Sequence, residues 1–169
     1  MKANCLVLYI LLLIPVLTLA GGLKIKRTIH WSGVQQIQIT DGEERKIVRC
    51  EECSNNEEQN FAPVYFEKLE LAEECENMSA TLKNLVFEPL TTDEQLAITG
   101  IAEPAVVIKP DLKPAHEMKK PVVLISFIPL RKNEVTGLTE KLVSFELELS
   151  YVPVERSGSE TKPVSYAEN

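Results

Sequence analysis

Residues 143–151 read Val-Ser-Phe-Glu-Leu-Glu-Leu-Ser-Tyr, a strict alternation of apolar and polar side chains. A period of two puts Val143, Phe145, Leu147, Leu149 and Tyr151 on one face of an extended strand. Ser144, Glu146, Glu148 and Ser150 take the other, so one face belongs in a core and one in water. Just upstream, residues 122–128 are almost unbroken apolar, the pattern of a strand buried on both faces. The polar stretch 131–140, with Gly137 inside it, separates the two. Together they predict a β-hairpin with a long loop.

The rest of the chain repeats this signature in shorter pieces. Residues 23–31 form a first strand, with Leu23, Ile25, Ile29 and Trp31 on one face and Arg27 as the exception among them. His30 falls on the polar face, where a solvated role is expected. Residues 34–40 and 45–50 flank Asp41-Gly42, a strong turn signal, and predict a hairpin. Residues 63–71 read as extended, and 80–87 as a strand stopped by Pro89. Thr92 as N-cap with Gln95 at the capping-box position predicts one short helix, 93–98, ended by Gly100. Residues 105–108 read as a short strand, and 109–120 as a proline-containing connection. Seven or eight strands and one brief helix predict an all-β fold: a sandwich or jelly-roll-like antiparallel domain.

The chain's 169 residues suit one domain of ordinary size. A net charge of −7 argues against a nucleic-acid partner, which requires a basic stripe. The acidic stretch 51–58 lacks the spaced oxygen ligands and central glycine of a calcium loop and reads as solvated. Lys2, an apolar run over 6–19 and small residues before Gly21 predict a signal peptide over 1–20, so membrane contact is expected only through that transient segment. Export then leaves Cys50, Cys53 and Cys75, an odd set that allows one bridge and one free thiol. A structural or incidental role is expected for them, with a bridge such as Cys50–Cys75 or Cys53–Cys75. Cys50-Glu-Glu-Cys53 runs out of a strand into a polar loop, which does not suit a thioredoxin-like redox motif, and zinc would lack ligands. No phosphate loop, metalloprotease motif or nucleophile elbow occurs in the sequence. His116 and Glu117 form no metal motif. No catalytic residue, cofactor or metal is expected, and a binding or accessory module is favoured over an enzyme.

Three stretches carry a family resemblance. KRTIHWSGVQQIQITDG over 26–42 resembles the first strands after the signal in the type IX secretion system sortase, a gingipain-like surface cysteine peptidase of Bacteroidota. PVVLISFIPLRKNEVTGLTEKLVSFELEL over 121–149 resembles that region's Val-x-x-x-Phe-x-Pro-x-Arg-x-Asn … Leu-Val-Ser-Phe hairpin. Ser165-Tyr166-Ala167-Glu168-Asn169 is similar to the Tyr-Ala-x-Asn segment with which the family leaves its N-terminal domain. The resemblance covers nearly all of the chain after the signal, but only the prodomain-like part of the family. The caspase-like peptidase domain is absent from these residues, and Cys50, Cys53 and Cys75 do not match its nucleophile.

The resemblance implies a signal peptide over 1–20, a β-sandwich prodomain-like domain over 23–153, and a linker over 154–169 to a downstream domain. It implies a non-catalytic module of a protein that processes secreted cargo and attaches it to the cell surface. The expected partners are the downstream peptidase domain or other envelope proteins of the secretion system. The expected location is exported, in the periplasm or at the outer-membrane surface. A pocket specific for basic side chains would be met by a basic loop, and Arg131 and Lys132 at the predicted hairpin tip are the candidates. The alternative is a stand-alone exported β-sandwich binding protein of the cell envelope.

Overall fold

The computed structural model describes residues 21–39, 42–100 and 104–154. Its elements run β1 (Gly21–Thr28), β2 (Trp31–Gln38), β3 (Glu44–Cys50), β4 (Cys53–Asn55), a 3₁₀ turn (Glu57–Gln59), β5 (Pro63–Glu70), β6 (Cys75–Pro89), α1 (Thr92–Ala97), β7 (Asp111–Glu117), β8 (Lys120–Phe127), β9 (Leu130–Lys132) and β10 (Thr139–Pro153). The expected signal peptide, and all but Val154 of the expected linker, lie outside the described residues. Among those described, no helix is long and apolar enough to cross a membrane.

All strand pairs are antiparallel. One sheet has the order β1-β10-β6, with β9 paired to the start of β10. A second has the order β4-β5-β8-β7, and β2-β3 is a separate two-stranded ribbon. The architecture is the all-β sandwich with one short helix that the strand pattern predicts. From β10, the buried faces of Phe145, Leu147 and Leu149 meet Tyr65 and Leu69 of β5 and Val123, Ile125 and Phe127 of β8. Tyr65 stacks on Phe127 with centroids 4.9 Å apart, and Phe145 stands edge-on to both at 5.4 Å. That geometry sets a positive ring edge against a negative ring face. Each such side chain contributes about 1.5–3 kcal/mol by leaving water. A smaller core gathers Val48, Leu90, Ala97, Ile98 and Leu130, with Trp31 and Val34 against it. It fixes α1 to the β2-β3 ribbon.

The predicted hairpin between 122–128 and 143–151 is corrected. β8 pairs with β5 and β7, and β10 with β1, β6 and β9. The two strands face each other across the core instead of lying side by side. Alternation fixes which face of a strand is buried and leaves its neighbour open. The chain changes sheets at Ile128 and Pro129. Pro129 has no N–H to offer a ladder, while its carbonyl accepts from Leu142 N at 2.9 Å. The alternation also slips at its start. Leu142, not Val143, is fully buried, because the register against β6 shifts between Leu142 and Ser144. A bulge moves the following side chains to the other face.

Four further readings change. The strand over 23–31 ends at Thr28, and Trp31 opens β2 in the ribbon. Residues 105–108 are not a strand, whereas β7 lies in the expected connection. β7 keeps Pro114 because it is an edge strand: it pairs with β8 alone, with Pro114 opposite Val123, and a proline nitrogen turned to the open edge forfeits no ladder bond. The helix begins one residue early, with Thr91 as N-cap and Glu94 closing the capping box. Burial chooses between the two threonines. In this frame Glu94 reaches Lys141 at 2.8 Å and the Gln95 amide reaches the Thr139 carbonyl at 3.1 Å.

Candidate functional site

Arg131 and Lys132 lie in β9, at the base of the β9–β10 hairpin and not at its tip. The tip is residues 133–138. The Asn133 side-chain oxygen accepts from Val135 N at 2.9 Å and Thr136 N at 3.2 Å, and the chain turns through Gly137 at φ 70°. That positive φ suits glycine, which has no Cβ to clash. The tip exposes Val135 and Leu138. Arg131 is held from two sides. Its Nε donates to Glu140 Oε2 at 2.9 Å, and its guanidinium carbon lies 3.5 Å from the Phe87 ring centroid. Bonds from Asn133 and Arg131 hold the Glu140 carboxyl below the usual carboxylate range. Lys132 N donates to the Ala105 carbonyl at 3.1 Å, tying β9 to the extended segment 104–110. That segment exposes Val106 and Val107. It flanks an open groove of about 720 Å³ whose apolar wall includes Val64, Ile108, Phe127, Ile128 and Leu130.

Arg27, the exception on the first strand's apolar face, bridges the two sheets. It bonds the Glu67 carboxylate of β5 through Nε at 2.8 Å and through its terminal nitrogen. Tyr65 donates its hydroxyl to the other Glu67 oxygen at 2.9 Å. Burial, then the Glu67 hydrogen bond and charge, push the Tyr65 phenol far above its ordinary value. The network is structural: it satisfies the polar end of an aromatic core residue.

The disulfide joins Cys50 to Cys53, with Cα atoms 5.2 Å apart, and Cys75 is a free thiol. The expected bridges to Cys75 are therefore corrected. Cys50 and Cys53 end and begin adjacent strands across a tight turn, whereas Cys75 opens β6. Cys75 Sγ donates to the Glu73 carbonyl at 3.1 Å. Burial, then the Glu73 charge, raise its pKa and keep it a thiol. It shares a cavity of about 260 Å³ with His116 and Glu74. A protonated, desolvated thiol is a poor nucleophile.

The disulfide-closed turn presents Glu51 and Glu52 to His30, in the link between β1 and β2. Glu52 accepts from His30 N at 3.0 Å and lies 2.6 Å from His30 Nδ1. Glu51 N donates to the His30 carbonyl at 2.9 Å. The Glu52 hydrogen bond and charge raise the His30 pKa. Burial works to raise that of Glu52, but the His30 bonds outweigh it and the net shift is down. Sequence reasoning took the two glutamates as solvated and His30 as a bystander. The signal available was two acids enclosed by cysteines at turn spacing.

Solved structures similar to this fold include two from the gingipains. One is the complex of the RgpB pro- and mature domains of Porphyromonas gingivalis, with a TM-score of 0.52 and 13% identity over 78% of each chain. The other is a structure on the zymogenic latency of gingipain K from the same organism, with a TM-score of 0.50 and 9% identity over 79% of this chain and 92% of that one. The fold is gingipain-prodomain-like. No protein-family model matches the chain, and no curated protein matches it. At these identities the likeness is one of fold.

Proposed function

We propose that this chain is the non-catalytic, prodomain-like N-terminal module of an exported cysteine peptidase, and that it binds the peptidase domain. The carrying observation is the fold likeness over 78–79% of the chain to the complex of the RgpB pro- and mature domains and to the structure on the zymogenic latency of gingipain K. Two local features support it. Cys75 is held as a thiol, and the nucleophile motifs are missing from the sequence. The finer reading is a sortase-like parent of the type IX secretion system, processing cargo and anchoring it at the surface. That rests on the sequence resemblance over 26–42 and 121–149. The division into signal peptide 1–20, domain 23–153 and linker 154–169, and export to the periplasm or outer-membrane surface, belong to the same proposal.

The β9–β10 hairpin is the peptidase-contacting loop in this reading, with Arg131 and Lys132 at its base. Its support is exposed apolar side chains: Val135 and Leu138 on the tip, and Val106 and Val107 on the segment that Lys132 N ties to β9. The test mixes the purified chain with a gingipain-type peptidase and with the peptidase encoded nearest in its own genome. A complex on size-exclusion chromatography and dose-dependent inhibition are expected. Neither complex nor inhibition with either enzyme overturns the reading. Arg131→Ala and Lys132→Ala, checked for folding, then test the loop: unchanged inhibition by both removes it from the interface.

A stand-alone exported binding module is the second reading. The observation in its favour is the open groove beside β9. The reading frame beyond the codon for Asn169 separates the two. A frame running into a large Cys/His peptidase supports the first, and an immediate stop supports the second.

A further inference from the structure

We propose that His30, Glu51 and Glu52 form a binding site for a divalent transition-metal cation of the Zn²⁺ type. The inference is independent of the peptidase reading. Each of the three residues offers a ligand atom, and these atoms all lie within 4.8 Å of one another. One imidazole nitrogen and two carboxylates are a mixed donor set. The imidazole favours Zn²⁺-like ions over Mg²⁺ and Ca²⁺, which prefer oxygen alone.

The donors come from two chain segments that are fixed relative to each other. His30 lies in the link between β1 and β2. Glu51 and Glu52 lie in the turn closed by the Cys50–Cys53 disulfide. A backbone bond from Glu51 N to the His30 carbonyl, 2.9 Å, pins one segment to the other. A site built this way needs little reorganisation when it binds, which lowers the entropic cost of ligation. His30 Nδ1 and Glu52 Oε1 already lie 2.6 Å apart. A cation bound at Nδ1 displaces any proton there, which passes to Nε2 of a neutral ring or to solvent from an imidazolium, and no redox change is involved. The remaining coordination positions face water, because His30 and Glu51 are exposed. The bound ion clamps the β1–β2 link to the β3–β4 turn and stabilises the folded state by mass action.

The test is isothermal titration of the folded full chain with ZnCl₂, with MgCl₂ as the hard-cation comparison and thermal unfolding as a second readout. One Zn²⁺ per chain, with a rise in Tm, is expected. His30→Gln and Glu51→Gln are each expected to weaken binding about tenfold or more. Cys75→Ser and His116→Gln, which remove the free thiol and the other histidine among the described residues, are expected to leave it unchanged. No Zn²⁺ binding by the wild type overturns the proposal. So does binding that survives His30→Gln, or Mg²⁺ binding as tight as Zn²⁺. If His30→Gln does not fold, nuclear magnetic resonance of the wild type decides: Zn²⁺ must shift the His30 ring signals and spare those of His116, and the reverse overturns the assignment.

Discussion

Glu94 and Lys141 form an ion pair enclosed by the fold, with side-chain exposures of 5% and 13%. Burial alone would raise the Glu94 pKa. The hydrogen bond from Lys141 and the capping bonds with Thr91 outweigh it, so the net shift is down. A carboxyl with a depressed folded pKa contributes stability that is fully present above its unfolded value. That stability is lost as pH falls through the folded value. The window therefore opens near the ordinary Glu value of 4.5 and extends below it. Lys141→Met leaves a carboxylate buried without its cation and is expected to cost about 3–5 kcal/mol in urea unfolding at pH 7. Glu94→Gln preserves the capping box, since glutamine also serves at that position, and is expected to cost less. The stability of Lys141→Met should also fall less between pH 6 and pH 3 than that of the wild type. A parallel fall in both proteins would remove the pair from the acid sensitivity.

At the scale of elements, the short disulfide and the proline-bearing edge each make a prediction. A bridge closing so small a loop stabilises by about 2 kcal/mol through the unfolded state, less than a bridge from either cysteine to Cys75 would. Alkylation of the unreduced, denatured chain should label Cys75 and spare Cys50 and Cys53, and mass mapping should recover those two as a bonded peptide. Labelled Cys50 or Cys53 would contradict the pairing. β7 is the outer strand of its sheet, and the unpaired amides of an edge strand invite association. Pro114 removes one of those donors. Pro114→Val supplies it again and is expected to promote concentration-dependent self-association, read by light scattering. A variant that stays monomeric at every concentration would show that Pro114 does not protect the edge.

At the scale of the molecule there are two cores of unequal size, and they should not open together. β8 and β10 carry the main core, while α1 and the β2-β3 ribbon share the small one. Regions with few buried apolar contacts open at lower free energy. Native-state hydrogen exchange should find the amides of β8 and β10 opening only with global unfolding, and those of α1 opening well before. Equal protection in both units would mean that the small core is fully coupled to the large one. The unequal design also suits the proposed function. The Gln95–Thr139 bond joins α1 to the start of β10, where the β9–β10 hairpin leaves its tip. A region that opens locally can adapt to a partner while the sandwich stays intact.

Much of this was legible in the chain itself. Alternation at 143–151 identified a half-buried strand, and the Asp41-Gly42 signal identified the β2–β3 hairpin. Thr-Thr-Asp-Glu marked the start of the helix to within one residue. These are local facts: the period of side chains along a backbone, the freedom of glycine at positive φ, the need of a helix start for acceptors. Partners in three dimensions were not legible, because the same alternating face can lie beside a strand or across a core from it. That is why β8 and β10 were expected as neighbours and are found face to face. It is also why Arg27 looked like an exception until Glu67 of β5 came opposite it. The candidate site divides in the same way. Arg131 and Lys132 were visible as basic residues near a turn, but their place in a paired strand depends on Glu140, Phe87 and Ala105. The convergence of His30 on Glu51 and Glu52, 21 and 22 residues away in sequence, follows from the β2–β3 register, which sets Trp31 opposite Cys50, and from the turn closed by the Cys50–Cys53 bridge.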